Sequence, residues 1–371
     1  MIPHTKERVL SNLLSNLYTL RYRKRSINVS IVARGIDKHP TSSAFIRLIS
    51  PLSYGLIGKK VNLYIYSPSE AINGFVESID ICIVQRTAFD SIGDARKFVG
   101  LIKEEKIKLV VDTDDAFSRL DKNHPQYEIQ KNLTEALQHI FNNADKVWAS
   151  TKDLAKEIGN GTVVFENTLD KRVWGKIGQS VMDPGDEIIK MIYMGTGTHD
   201  ADFQMILPAL DKINEKYNSR LQLNVIGVAA NLPDRQWIKK LVVIKGLSMY
   251  PRFVEWFMQQ GPFDIGLAPL ENSEFNKAKS DIKVLDYLYQ GTLPVVSDIE
   301  PYRNPEIDNF IVRVGYGAND WYAFFEDLLL HKEKYAEYRK NNLKKIRKYL
   351  KNDRSTRVLA KKMYKELKKL M

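Results

Sequence analysis

The stretch 264-DIGLAPLENSEFNKAKSDIKVLDYLYQGTLPVVSD-298 decides how this chain is read. It opens on the short apolar run 264-DIGLAPL-270, closes on 293-LPVVSD-298, and between them carries a helical pattern from about Asp281 to a Gly291-Thr292 turn. Strand, helix and strand in that order form the repeating unit of a parallel sheet, because parallel neighbours need a crossover. The polar residues ask for a partner. Lys279 and Lys283 are four apart and share a helical face if Lys279 belongs to the first turn, with Ser280 at the helix start. Cations are unfavourable beside the positive end of a helix. Two ammonium groups, a hydroxyl and free amides gathered there therefore form a plausible diphosphate cradle. Asp286, three residues beyond Lys283, can accept hydrogen bonds from vicinal sugar hydroxyls. The bland alternative is a solvated amphipathic face with a Lys283–Asp286 pair.

Outward from this segment the same alternation continues. Before it come 189-IKMIYMG-195, a helix from Asp202 to about Tyr217, 221-LQLNVIG-227, 241-LVVIKG-246 and a helix from Arg252 to Gln260. The N-terminal half has a series of its own in 27-INVSIVA-33, 61-VNLYIYS-67, 79-IDICIVQ-85, 107-IKLVVDT-113, 146-KVWAS-150 and 162-TVVFEN-167. Periodicity lapses at 180-SVMDPGDE-187, where Pro and Gly appear, which places a domain boundary at 185/186. Residues 1–185 and 186–350 are thus expected as two α/β domains, with 351–371 a separate terminal helix. A chain of 371 residues with 44% apolar content supports two cores.

Composition narrows the function. The single cysteine, Cys82, lies inside an apolar run, so internal disulfides and cysteine-based metal sites are excluded and a buried structural thiol is expected. No run of about eighteen apolar residues occurs, and the basic, interrupted start does not read as a signal peptide, so a cytoplasmic location is expected. The formal charge is +11, yet His331 to Met371 alone holds sixteen Lys or Arg against four Asp or Glu, which leaves the rest near neutral. Such a tail can meet an anionic surface or only water. Residues 7–21 place leucines at helical spacing before the cations of 21–25, which suits either an interfacial helix at the inner face of a membrane or one packed on the domain. Cations gathered in a tail, without a recognised nucleic-acid module, argue against nucleic acid as partner.

Two familiar phosphate motifs are missing. In 193-YMGTGTHDADF-203, Asp200 stands where the dinucleotide fingerprint has its third glycine, and no phosphate-loop motif occurs. What remains is Gly195, Gly197, Thr198 and His199 before a helix, able to meet a phosphate through backbone amides and, if protonated, the imidazole. In the first half, 107-IKLVVDTDDAF-117 runs a strand into Asp112, Asp114 and Asp115. Carboxylates at a strand end can hold substrate hydroxyls, bind Mg²⁺ or act as a base, or merely cap the next helix. Thr41, Ser42 and Ser43 suit helix capping, while Arg47 and Arg86 are candidate acceptor contacts.

Taken together, 163-VVFENTLD-170, 192-IYMGTGTHDADF-203 and the 264–298 segment resemble bacterial retaining glycosyltransferases of the two-Rossmann-domain B fold (GT-B), family-four-like, of the type that assembles surface polysaccharides such as O-antigen or capsule. The first-domain pieces 42-SSAFIR-47, 51-PLS-53 and 109-LVVDTDD-115 are similar to the same proteins. The resemblance implies two Rossmann-like domains facing across a cleft, with a C-terminal helix crossing back to the first. It implies a nucleotide diphosphate sugar as donor in the second domain, with Gly195, Gly197, Thr198 and His199 beside its phosphates, Lys279, Ser280 and Lys283 around the diphosphate, and Asp286 at the ribose. It implies a glycan or lipid-linked glycan acceptor on the first domain, met by Arg47, Arg86 and Asp112 and oriented by Asp114 or Asp115, and neither a protein nucleophile nor a metal. The family's paired glutamates correspond here to Ala278 and Asp286, so the first acid is absent.

Overall fold

The computed structural model describes residues 26–371 apart from 37–38, 76, 120–121, 123–126, 160, 179–181, 196–198, 228–231, 233, 245 and 248. The expected helix at 7–21 lies outside the described residues, as do Gly197 and Thr198 of the expected phosphate loop.

Two six-stranded sheets, parallel throughout, organise the chain. The first takes β1 (Ile27–Val32), β2 (Val61–Tyr66), β3 (Ile81–Gln85), β4 (Lys108–Thr113), β5 (Lys146–Ala149) and β6 (Val163–Val164) in the order β2-β1-β3-β4-β5-β6. The second takes β7 (Ile189–Met194), β8 (Leu221–Ile226), β9 (Ile238–Leu241), β10 (Ile265–Ala268), β11 (Leu293–Ser297) and β12 (Val312–Val314) in the order β9-β8-β7-β10-β11-β12. That second order is the doubly wound 3-2-1-4-5-6 arrangement, which reverses between β7 and β10 and opens a crevice at their carboxyl ends. The stretch at 241–246 is not the strand the sequence suggests. The strand ends at Leu241, and Val242 and Ile244 beyond it are 64% and 63% exposed.

Strands covered on both faces read as unbroken apolar runs. All five residues of β3 are buried, including Cys82, whose thiol burial pushes up to about 12 and so leaves inert. The helices that cover the sheets are α1 (Ile92–Glu104), α2 (Tyr127–Phe141), α3 (Asp200–Lys216), α4 (Tyr250–Phe257), α5 (Ile282–Gln290) and α6 (Ala318–Leu330). Helix α5 is seated closely. A Cβ on Gly266 of β10 would lie 2.4 Å from the Tyr287 ring, and the Tyr287 hydroxyl donates to Leu267 O at 2.9 Å. Gly291, at φ 97°, ends α5 in the left-handed conformation a side chain would resist.

The first sheet ends at Val164 and the second begins at Ile189. Between them Trp174 wedges into an aromatic seam, 5.5 Å from Tyr289 and 6.1 Å from Phe257 between ring centroids, its indole N–H donating to the Tyr250 hydroxyl at 2.9 Å. Phe45 of the first domain meets the same Tyr250 ring at 5.4 Å. Two terminal helices follow, α7 (Lys332–Asn352) and α8 (Thr356–Leu370). Helix α8 returns to pack on the first-domain segment Ser50–Leu52, burying Leu359, Met363 and Leu367. Those apolar positions of the basic tail therefore have their partner in the first domain.

Candidate functional site

The cleft is lined from strand ends, where the preceding sheet cannot supply partners to the loops. From the second domain come Lys279 and Lys283. Lys279 Nζ lies 4.4 Å from the Phe275 ring centroid and 3.5 Å from Asp115 Oδ1 of the facing domain. Lys283 Nζ sits 5.3 Å from the Tyr193 centroid, buried and without a hydrogen-bond acceptor among the described residues. Burial, opposed by the Asp202 charge, pulls both ammonium groups down to about 8. In the first turn of α5 the Val284 amide bonds Asp281 O at 2.9 Å, which leaves those of Ile282 and Lys283 without an intrahelical acceptor. Asp281, at its N-cap, turns its carboxylate away from them to Arg354, which donates to both oxygens at 2.9 and 2.6 Å. A concentration of positive charge thus faces the cleft with too few local acceptors.

His199 corrects one expectation. Its Nδ1 lies 2.7 Å from Asp202 Oδ2, while Asp202 Oδ1 accepts from the Glu271 amide at 2.8 Å and from Asn276 Nδ2 at 2.9 Å. Burial and then the Lys283 charge drive the imidazole down to about 3, so it is neutral and cannot greet a phosphate as a cation. The ionised Asp202 only accepts, which puts the ring proton on Nδ1 and leaves Nε2 as an acceptor, suited to a sugar hydroxyl. Gly195 ends β7 with its amide bonded to Ile226 O at 3.0 Å. Asp286 is half-buried on α5, its carboxyl pushed up to about 8 by burial against the pull of Lys283, and no described side chain donates to it.

On the opposite wall, Arg86 takes the left-handed conformation at φ 56° just beyond β3, a strain of about 1–3 kcal/mol of the kind that collects at functional loops. Its Nε lies 2.5 Å from Asp114 Oδ1, its Nη2 pairs with Asp115, and Nη1 donates to Ser43 Oγ at 3.3 Å. Asp114 and Asp115 are therefore neutralised by cations. Among the described residues no cluster of three or more His, Cys, Asp or Glu is placed to hold a metal. Thr41 accepts from the Ala44 amide as the helix cap.

Arg47 and Asp112 do not face the cleft surface where acceptor contacts were expected. They are 3% and 1% exposed, and Arg47 Nε and Nη2 donate to Asp112 Oδ2 and Oδ1 at 2.8 and 2.6 Å. The remaining Arg47 nitrogen bonds Phe165 O and Asn167 Oδ1, each at 2.9 Å, and Asn167 Nδ2 donates to Ser280 Oγ at 2.7 Å. The pair thus acts through Asn167 on the start of α5. Thr151 Oγ1 adds a bond to Ala278 O at 3.0 Å, and Arg354 Nε one to Asn167 O at 3.0 Å. Arg47 sits in a helical run whose middle, Phe45–Ile49, has the wider π pitch, a local irregularity that often re-aims a functional side chain. Asn167, Asp202 and Arg354 carry the site's framework although sequence reasoning gave them no role.

Two doubly wound domains, a cleft at their strand carboxyl ends and a returning terminal helix define the GT-B class of fold. Solved structures share it over nearly the whole chain. Anabaena HepE in complex with UDP-glucose aligns with a TM-score of 0.60 at 11% identity, covering 92% of this chain and 100% of that one. An alpha-glucosyltransferase in complex with UDP and a 13-mer DNA gives 0.57 at 15% identity, covering 92% and 99%. A putative UDP-N-acetylglucosamine 2-epimerase from Listeria monocytogenes gives 0.52 at 12%, covering 91% and 95%. No protein-family model and no curated protein matches the sequence. At such identities the likeness establishes architecture, and the chemistry has to be argued from the residues.

Proposed function

We propose that the chain moves a sugar from a nucleotide diphosphate sugar to a hydroxyl of a glycan or lipid-linked glycan acceptor, with retention at the anomeric carbon. The carrying observation is Lys283, a buried ammonium with no acceptor among the described residues, beside Lys279 at the amino end of α5. A departing diphosphate supplies the missing negative charge. As the anomeric C–O bond breaks, its electron pair goes to the diphosphate oxygen, where charge grows and both lysines bind more strongly than in the intact donor. The acceptor oxygen attacks from the same face and its proton passes to that oxygen, so no protein nucleophile enters. Asp286 takes the ribose hydroxyls, His199 Nε2 a sugar hydroxyl, and Asp115 orients the acceptor. That glycosyltransferases and an epimerase share the fold makes turnover the deciding measurement. A thermal-shift screen of nucleotide sugars, followed by product analysis of the hits with and without acceptor glycans, is expected to give transfer. Donor epimerisation, or binding with no product from any hit, would overturn the reading.

The lysines also set a pH dependence. A diphosphate prefers the ammonium form, which is lost as pH rises through about 8. Affinity for a nucleoside diphosphate should therefore hold between pH 7 and about 8 and fall above it, by up to about tenfold per unit for each lysine, with proton uptake on binding. Calorimetry at pH 8.5 in buffers of different ionisation enthalpy measures that uptake. A flat affinity up to pH 9.5 contradicts the assignment.

A further inference from the structure

The positive charge of the C-terminal segment has a destination that the cleft does not use. Where the connecting segment 169–177 passes beneath the corner between α7 and α8, the structure forms a half-open cavity of about 530 Å³ at the surface. Its walls come from both domains, through Tyr54 and Tyr289, and from both terminal helices. Five cations line it, Lys171, Lys176, Arg347, Lys351 and Arg357, and no carboxylate does. Of the nearby acids, Asp170 is committed to Arg172 and Asp281 to Arg354, each at 2.6 Å, while Asp353, exposed at the corner between α7 and α8, lies outside the lining and offsets only one of the five charges. None of the five cations forms an ion pair among the described residues.

The five are exposed, so water and salt screen part of their mutual repulsion, and an anion bound among them would relieve the rest. Two further features point the same way. Helix α8, of fifteen residues, begins in this cavity, and its N-cap Ser355 makes no capping bond and leaves its buried Oγ without a partner among the described residues. The positive end of the helix adds to the cation ring. Two turns back from Arg347 on α7, Arg339 is only 6% exposed. Its Nε donates to Gly291 O at 3.1 Å, while Nη1 and Nη2 are buried without acceptors among the described residues. Burial and the neighbouring Arg347 charge pull this guanidinium down to about 10, which marks the region as electrostatically unbalanced.

We propose that this cavity is a binding site for a phosphate group, held by Lys351, Arg357 and Arg347 together with the start of α8, behind the cleft and separate from it. The phosphate belongs either to an anionic phospholipid headgroup or to a soluble phosphate compound, and both present the same multiply charged oxygens to the same cations. The inference does not depend on the reading of the cleft.

The test uses the full chain carrying Lys283→Met, so that the cleft does not compete, with two probes. Inorganic pyrophosphate is titrated calorimetrically, and phosphatidylcholine vesicles with and without phosphatidylglycerol are sedimented with the protein. The charge reversal Lys351→Glu/Arg357→Glu should weaken binding by about tenfold or more, while Lys348→Glu, exposed on α7 outside the cavity, should change it by less than about twofold. Vesicle binding that needs phosphatidylglycerol and is lost in the double variant assigns a lipid phosphate. Pyrophosphate binding alone assigns a soluble one. If the reversal lowers the unfolding temperature, Lys351→Gln/Arg357→Gln replaces it. Binding of neither probe, or equal loss in Lys348→Glu, overturns the proposal.

Discussion

Replacing Lys283 with methionine should raise the unfolding temperature of the unliganded protein while it abolishes productive donor binding. The two effects have one cause. In the folded chain the ammonium is buried beside Tyr193 without an acceptor among the described residues, and burial brings its pKa from 10.5 down to about 8. A drop of that size corresponds to at most about 3 kcal/mol of destabilisation at neutral pH. The sign follows from proton counting. Below pH 8 both states carry the proton and the folded state bears the full penalty; between about 8 and 10.5 the folded state has released it while the unfolded state has not, so the penalty shrinks as pH rises. Methionine keeps the apolar stem without the charge, and a gain of about 1–3 kcal/mol should lift the unfolding midpoint by a few degrees. Transfer should fall by about 10²–10³, the scale for losing one preorganised contact to a developing anion. Calorimetric scans at pH 7 and pH 10 beside turnover assays measure all three quantities. A less stable variant with near-normal turnover would show that the lysine is structural.

The opposite pattern is expected at Arg47. Its replacement by methionine strands Asp112, 1% exposed and already pushed upward by burial despite the arginine, in an apolar setting. Breaking a buried pair from one side costs about 3–5 kcal/mol, whereas replacing both members by apolar residues is often neutral. Arg47→Met should therefore unfold well below the parent, and Arg47→Met/Asp112→Leu should recover much of the loss. Function should not follow stability back. Asn167 loses its Arg47 bond in both variants, and with it the support for Ser280, so the KM for donor stays raised in the stable double variant. Chemical denaturation of the four members of the cycle, with donor kinetics on the two stable ones, provides the check. Recovery of KM together with stability would show that the Asn167–Ser280 link does not position the donor segment.

Sequence pattern revealed the sheets where both faces of a strand are covered, since an unbroken run such as Ile81–Gln85 has few other readings. It failed at the margins. The edge strand Ile238–Leu241 buries no residue fully, with two exposed lysines between half-buried ends, and is chosen by its register against Leu223–Ile226, while the more apolar 241–246 looked the better strand. Val312–Val314 is too short to carry a period. Lys279 and Lys283 were legible because cations at a helix start contradict the local field and so demand an explanation. Arg47 was equally visible as a cation, but whether it meets ligand or protein depends on Asp112, 65 residues away, and no local signal encodes that pairing. Arg354 was hidden differently, one guanidinium among sixteen basic residues of the final segment, told apart only by the bend that delivers it to Asp281.

The Lys279–Asp115 contact spans the two walls, and it links the arrival of one reactant to the readiness for the next. While that contact stands, the carboxylate that would steer the incoming hydroxyl is occupied by the very cation the diphosphate needs. Entry of the proposed donor would draw Lys279 toward phosphate and free Asp115 Oδ1 for the second reactant, while Arg86 keeps hold of Oδ2. On the proposed reading this favours compulsory sequence, with nucleotide sugar first and nucleophile second, and steady-state patterns with a dead-end acceptor analogue should be uncompetitive toward the donor.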